Sequence, residues 1–280
     1  MCSNVRAPLR PLMRADLGGA QAITSSFGWP HRVEDWEFMF GLGRGWAVQQ
    51  DGVLVGTGMC WTFGARAGAL GLVCVAPAQQ GRGLGTRLLE RLLEALEGRQ
   101  IVLFATDAGV RLYERLGFQE CGRIRQQQGA AIRLRTAPLQ PGKRIRPVGR
   151  GDPARLAVLD REATGMDRRA LIGALLQVGT GVVLENEGTA EGFAILRRFG
   201  IGQVIGPVVA PDAAGAQALI GYFLVANPGQ FMRIDVAEET GFAPRLRKLG
   251  LADAGGAVRM VRGAREERPR AFALASQAFG

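Results

Sequence analysis

Ala76 to Leu92 reads APAQQGRGLGTRLLERL: glycines at 81, 83 and 85 alternate through a turn and give way at once to a leucine-rich pattern. Leu84, Leu88, Leu89, Leu92, Leu93 and Leu96 share one helical stripe, with Arg87, Glu90, Arg91 and Glu94 outside it, as in a surface helix laid on a sheet. The stretch in front, ALGLVCVA, reads as a strand. Strand, glycine turn and helix start together make an anion site, because unpaired N–H groups and the helix dipole both favour negative charge. A phosphate is the natural guest. Spacing removes two nucleotide readings: Gly85-Thr86-Arg87 lacks the lysine of a P-loop, and alternating glycines do not match the dinucleotide fingerprint.

The rest of the chain sets the frame. Its 280 residues suffice for two domains, each with its own core. Apolar residues at 47% and charged residues at 21% are globular values, and no run reaches the roughly 18 apolar residues of a membrane span. No membrane partner is expected. The N-terminal MCSNVRAPLRPLMRADL has no secretory pattern, which predicts a cytoplasmic address. Cys2, Cys60, Cys74 and Cys121 are widely spaced and His31 is the one histidine, so neither a zinc site nor a disulfide framework is expected. The net charge of +10 divides as 16 basic against 11 acidic residues over 1–140, and 19 against 14 over 141–280. The excess is +5 in each part, with no basic cluster or aromatic-studded strand, so no nucleic-acid partner is expected. A positive field drawing in an anionic cosubstrate explains the charge equally well.

Patterning predicts a strand near APLRPLM, two helical stretches (RADLGGAQAITSSF and HRVEDWEFMFGLG), and three strands, the first two joined by an Asp51-Gly52 hairpin turn. After the helix from Leu84 come a buried strand QIVLFAT, a short helix AGVRLYERLGF closed by Gly117, and a strand near GRIRQQQGAAIRLR. A linker with Pro138, Pro141 and Gly142 follows, and the order then repeats: strand 142–148, helices within 153–178, three strands, the helix DAAGAQALIGYFLVAN, the strand QFMRIDVA, a helix ending at Gly250 and a last strand AVRMVRG. The chain is read as an internal repeat of one α/β (α+β) unit, with domains at 1–138 and 139–280, each a mixed, largely antiparallel sheet flanked by helices.

Gln80, Gly83 and Gly85 form the pattern Gln/Arg-x-x-Gly-x-Gly/Ala, and LYERLGF (Leu112 to Phe118) follows at the expected distance. With these two motifs the sequence resembles the GNAT superfamily of N-acetyltransferases, in a tandem subfamily with an intact first copy and a degenerate second. The resemblance implies that the main-chain amides of Gln80, Gly81, Arg82, Gly83, Leu84, Gly85 and Thr86 hold the diphosphate of acetyl-CoA. It implies that Val73, Cys74 and Val75 offer main-chain groups to the pantetheine arm and thioester, and that Tyr113 is the general acid toward the sulfur. Thr106 stands where the superfamily often has asparagine, a departure that leaves only a hydroxyl for pantetheine. In the second copy Ala214 to Leu219 replace Gln80 to Gly85, with Gly215 alone surviving, and Leu246 replaces Tyr113. One active site per chain is the consequence, with the second copy expected to wall the acceptor cleft.

The implied reaction is acetyl transfer to a primary amine of a small molecule or peptide, with acetyl-CoA as cosubstrate and no metal. Glu34, Asp35, Glu37 and Asp107 are candidates for the base, as is His31, whose ring titrates near neutrality. Each of these carboxylates is more often an ordinary solvated helix or loop charge. Trp29, Trp36 and Trp61 are candidates to line the acceptor pocket or simply core aromatics, and Cys74 is read as packing, with nothing near it in sequence to activate a thiol. Two alternatives stay open: a non-catalytic CoA-binding sensor, and an acetyltransferase of macromolecules.

Overall fold

The computed structural model describes residues 8–131, 139–263 and 271–279. Cys2, Pro138 and the end of the strand read through Arg135 lie outside them. By compactness the chain forms two units, residues 1–101 and 102–280.

The first unit contains β1 (Leu9–Pro11), α1 (Leu17–Ser25), α2 (Val33–Leu42), β2 (Arg44–Gln50), β3 (Val53–Phe63), β4 (Ala67–Val75) and α3 (Leu84–Ala95). Its strands lie in the order β1-β2-β3-β4, all antiparallel. Asp51 and Gly52 turn β2 into β3 with φ of 50° and 80°, the left-handed pair that a tight hairpin demands. The leucine stripe of α3 covers one face of the sheet: Leu88, Leu89 and Leu92 are fully buried, each contributing about 1.5–3 kcal/mol of burial. The helix sits so close that a Cβ at Gly58 of β3 would stand 2.8 Å from the Leu92 Cδ1. On the opposite face, the Trp61 Nε1–H donates to the Met39 carbonyl of α2 at 2.9 Å.

The second unit takes up β5 (Gln100–Ala105), α4 (Val110–Arg115) and β6 (Gln119–Ala130), then β7 (Lys143–Pro147), α5 (Pro153–Thr164), α6 (Arg169–Val178), β8 (Gly179–Asn186), β9 (Thr189–Phe199) and β10 (Gly202–Val209). It ends with α7 (Ala213–Ala226), β11 (Phe231–Ala237), α8 (Ala243–Lys248), β12 (Ala252–Arg262) and β13 (Ala271–Ala273). The strand order is β5-β12-β6-β11-β13-β10-β9-β8-β7. The sixth strand of each repeat therefore lies beside the fifth strand of the other: β12 beside β5, and β6 beside β11. This exchange draws β5, α4 and β6 of the first repeat into the compact unit of the second. Of the pairs whose register is described, β10 with β11 alone is parallel.

The repeat is legible in a shared device. Arg10-Pro11 and Arg146-Pro147 begin the same spacing, Arg-Pro-x-x-Arg-x-Asp. In each, the arginine grips the aspartate six residues on: Arg10 reaches Asp16 at 2.7 and 2.8 Å, and Arg146 reaches Asp152 at 2.7 and 3.0 Å. Each aspartate also accepts the N–H three residues before it, from Met13 and from Gly149. Arg146 bonds Glu185 of β8 as well, at 2.6 Å.

The Arg10 guanidinium holds the Asp16 carboxyl below its usual range, and Arg146 does the same to Asp152 and, with Arg144, to Glu185. A carboxylate depressed in the folded state stabilises it above the unfolded pKa, near pH 4, and that contribution is lost as the pH falls through the folded value. The melting temperature should accordingly fall below about pH 4. In Arg146→Met it should start a few degrees lower at pH 7 and decline less between pH 7 and pH 3, as read by melting curves across that range. An unchanged acid slope would show that these carboxylates are not linked to folding.

Candidate active site

The glycine turn leaves β4 and enters α3 through two left-handed residues, Gly81 and Gly83, each at φ 74°. A side chain there would strain the backbone, which accounts for both glycines. Gly83 is the N-cap of α3; it provides no side-chain acceptor, and no acidic residue occupies the first turn. The helix start thus presents its N–H groups without an internal carboxylate. Gln80 braces the turn by donating its Nε2–H to the Val75 carbonyl at 3.1 Å. Gly85 is different in kind: its backbone is not left-handed, and a Cβ there would meet nothing nearer than the Val75 Cγ2 at 3.9 Å. Neither conformation nor internal packing requires glycine at 85.

The neighbouring strand carries the second feature. In the β3–β4 ladder Thr57 pairs with Cys74 and Met59 with Gly71, so Leu72 and Val73 together face the single residue Gly58. Leu72 takes φ 54°, an uncommon value for a side chain of this size. This β-bulge interrupts the regular pairing at Leu72 and Val73, while Cys74 and Val75 keep Thr57 and Gly56 as partners. The Cys74 side chain is buried, and burial pushes its thiol up to about 12, so it is a packing group and no nucleophile at neutral pH.

Thr106 and Tyr113 belong to the second unit and come together around Gly109. A Cβ at Gly109 would stand 3.3 Å from the Tyr113 Cε2 and 3.4 Å from the Thr106 Oγ1, so the glycine admits both. The Tyr113 ring rests edge-on against Phe118, with centroids 5.9 Å apart, and the ring is half-buried.

Several candidates have partners within the fold. Trp36 and Trp61 are 0% and 1% exposed, with Trp36 donating to the Thr24 Oγ1, which places both in the core instead of at an acceptor pocket. Asp35, 3% exposed, accepts the Arg32 N–H and pairs with the Arg32 guanidinium, closing the start of α2. Glu37 pairs with Arg14 and Asp107 with Arg123. Trp29 and His31 stay half-buried in a row of rings, 6.0 Å apart, and Glu34 is exposed.

The second repeat lacks the equivalent chemistry. At the start of α7 the Asp212 carboxylate accepts the Gly215 N–H at 2.7 Å, filling with its own charge the place a phosphate would need. Leu246, standing for Tyr113, is buried and has no hydroxyl. Among the described residues no group of three or more His, Cys, Asp or Glu side chains is placed to hold a metal ion, and no helix is long and apolar enough to cross a membrane.

Comparison with known proteins agrees with this anatomy. Residues 17–118 match the acetyltransferase (GNAT) family, and residues 156–274 match an acetyltransferase (GNAT) domain. The uncharacterized N-acetyltransferase YitH of Bacillus subtilis (strain 168) is 25% identical over 240 residues, 84% of either chain. A candidate acetyltransferase of Pyrococcus horikoshii has the same fold, with a TM-score of 0.81 at 22% identity, over 100% of this chain and 99% of that one. A tandem GNAT protein from the clavulanic acid biosynthesis pathway superposes with a TM-score of 0.64 at 15% identity, over 93% of this chain and all (100%) of its own. With two such domains in succession, the chain belongs to the GNAT family of acetyltransferases and is an acyltransferase.

Proposed function

We propose that the first repeat, residues 1–138, binds acetyl-CoA and that the protein transfers its acetyl group to a primary amine of a small molecule or peptide, by direct attack in a ternary complex. The observation that carries this reading is the turn at residues 80–86: a helix start entered through the left-handed Gly81 and Gly83, with no side-chain cap and no acidic residue in its first turn. The cosubstrate diphosphate is held by the main-chain N–H groups from Gln80 to Thr86, and the pantetheine arm and thioester by the main chain of Val73, Cys74 and Val75 at and after the bulge. The amine lone pair adds to the thioester carbon, the oxyanion collapses, the C–S bond breaks, and the nitrogen's proton passes to solvent. Tyr113 gives the departing sulfur its proton, with the Thr106 hydroxyl beside it toward the pantetheine.

Calorimetric titration with CoA tests the first step, and one site per chain is expected; no heat would overturn the reading. A panel of primary amines, assayed for free thiol at fixed acetyl-CoA, tests the second. Tyr113→Phe should lower kcat about tenfold and leave CoA affinity within about twofold. The effect is moderate because a thiol with an ordinary pKa near 8.5 leaves without full protonation. A sensor would bind CoA and release no thiol with any amine.

A further inference from the structure

Strands β10 and β11 are hydrogen-bonded neighbours only at one end, where Gln203 pairs with Met232 and Val204 with Arg233. Beyond that point they part, and two parallel strands that diverge inside a core leave main-chain N–H and C=O groups in need of partners along both inner edges. The gap is filled from the far end of the chain. β13 runs antiparallel to both walls, with Ala273 opposite Val208 on one side and Val236 on the other, and the Leu274 N–H donates to the Asp235 carbonyl at 2.9 Å. The wall is shaped for this guest: a Cβ at Gly206 would run into the Leu274 carbonyl oxygen.

The residues after β13 are read by buried side chains. Arg197 reaches the Ala275 carbonyl and Arg168 the Phe279 carbonyl, each at 3.4 Å, while Gln277 donates to the Asp235 carboxylate at 3.4 Å. Arg168, Arg197 and Asp235 are 2%, 6% and 2% exposed. Two phenylalanines anchor the segment: Phe272 packs its ring 5.5 Å from that of Phe242, and Phe279 is fully buried. A slot with two strand edges, three buried charged side chains that bond the segment in addition to their own partners (Asp160 for Arg168, Arg233 for Asp235) and two aromatic anchor positions has the features by which sheets capture extended peptides.

We propose that the opening between β10 and β11 is a binding slot for an extended peptide with phenylalanines seven residues apart, and that residues 271–279 occupy it as a ligand the chain supplies to itself. The proposal stands independently of the acetyl-transfer reading. It is tested by inserting a protease recognition sequence between Gly263 and Ala271 in the full chain and cutting after folding. The released fragment should co-elute with the body in gel filtration and separate only in denaturant. A fluorescent peptide of residues 268–280, added in excess to the cut protein under mild denaturant and then diluted, should enter at one per chain. The Phe279→Ala peptide should compete at least tenfold more weakly, and a scrambled peptide not at all. Loss of the fragment at the moment of cutting, with the body still folded by circular dichroism, overturns the proposal. So does labelling that the scrambled peptide matches. Neither readout involves CoA, so failure of this slot and failure of the cosubstrate site are distinguishable.

Discussion

Gly85→Asp is expected to lower CoA affinity at least 100-fold while leaving the fold intact. The three alternating glycines separate into two kinds. Gly81 and Gly83 adopt left-handed backbone and serve the turn whether or not anything binds. Gly85 lies in the first turn of α3, where glycine costs about 0.5–1 kcal/mol relative to alanine. The protein has room for a methyl group there, the nearest atom being 3.9 Å away. Gly85→Ala, the alternative the motif itself allows, should therefore hold or raise the melting temperature and leave CoA affinity within about threefold. The aspartate adds negative charge at the positive end of the helix, opposing the diphosphate and competing for the same N–H groups. The second repeat shows a related competition from a different position, its N-cap Asp212 accepting the Gly215 N–H. Calorimetry on the two variants decides: CoA binding to Gly85→Asp within about threefold of the parent would remove the turn from the cosubstrate site.

Much of the fold was readable because period and punctuation agree. The leucine stripe of α3, the Asp51-Gly52 turn and the closing glycines Gly117 and Gly250, at φ 83° and 89°, each state their structure locally. What could not be read depends on partners distant in sequence. Nothing in GRIRQQQG says that β6 will lie between β12 and β11, because exchanged and unexchanged strands share one pattern. The last strand, read as AVRMVRG, begins five residues earlier at Ala252, since exposed small residues hide its start. β13 was missed altogether: three residues, AFA, carry no period, and their meaning lies in a gap formed by residues far away. The same limit governs the site. The motif at residues 80–86 was visible, whereas the bulge at Leu72 needs the register against β3, and the service of Gly109 to Thr106 and Tyr113 needs coordinates. Trp36 and Trp61 stayed open between pocket and core because an aromatic spacing does not say which face of a helix or strand meets the core.

Removing Arg168 should cost the second unit about 3–5 kcal/mol, the loss associated with breaking one side of a buried ion pair. In sequence, Asp160 and Arg168 belong to DREATGMDRR, a heavily charged run in which nothing marks these two as buried. In the structure their side chains are 0% and 1% exposed, joined by two hydrogen bonds of 2.9 and 2.6 Å, and Arg168 also donates to the Phe279 carbonyl. With Arg168→Ala, the Asp160 carboxylate is left buried without its counter-charge and the last turn of the chain loses a donor. With Asp160→Asn, the guanidinium is left in the same position. Either should lower the melting temperature by roughly 10 °C in a unit of this size. The pair itself is a different matter, since apolar side chains of similar volume often match or exceed a buried ion pair. Asp160→Leu with Arg168→Met should therefore recover most of the loss of either single change, short of the one hydrogen bond to Phe279. Denaturant unfolding of the four proteins completes the cycle. A single-mutant cost below about 1 kcal/mol would mean that water reaches the pair and that the arginine does not fasten the carboxyl-terminal segment. A large single cost with no recovery in the double variant would assign the loss to Phe279, and so to the segment lodged between β10 and β11.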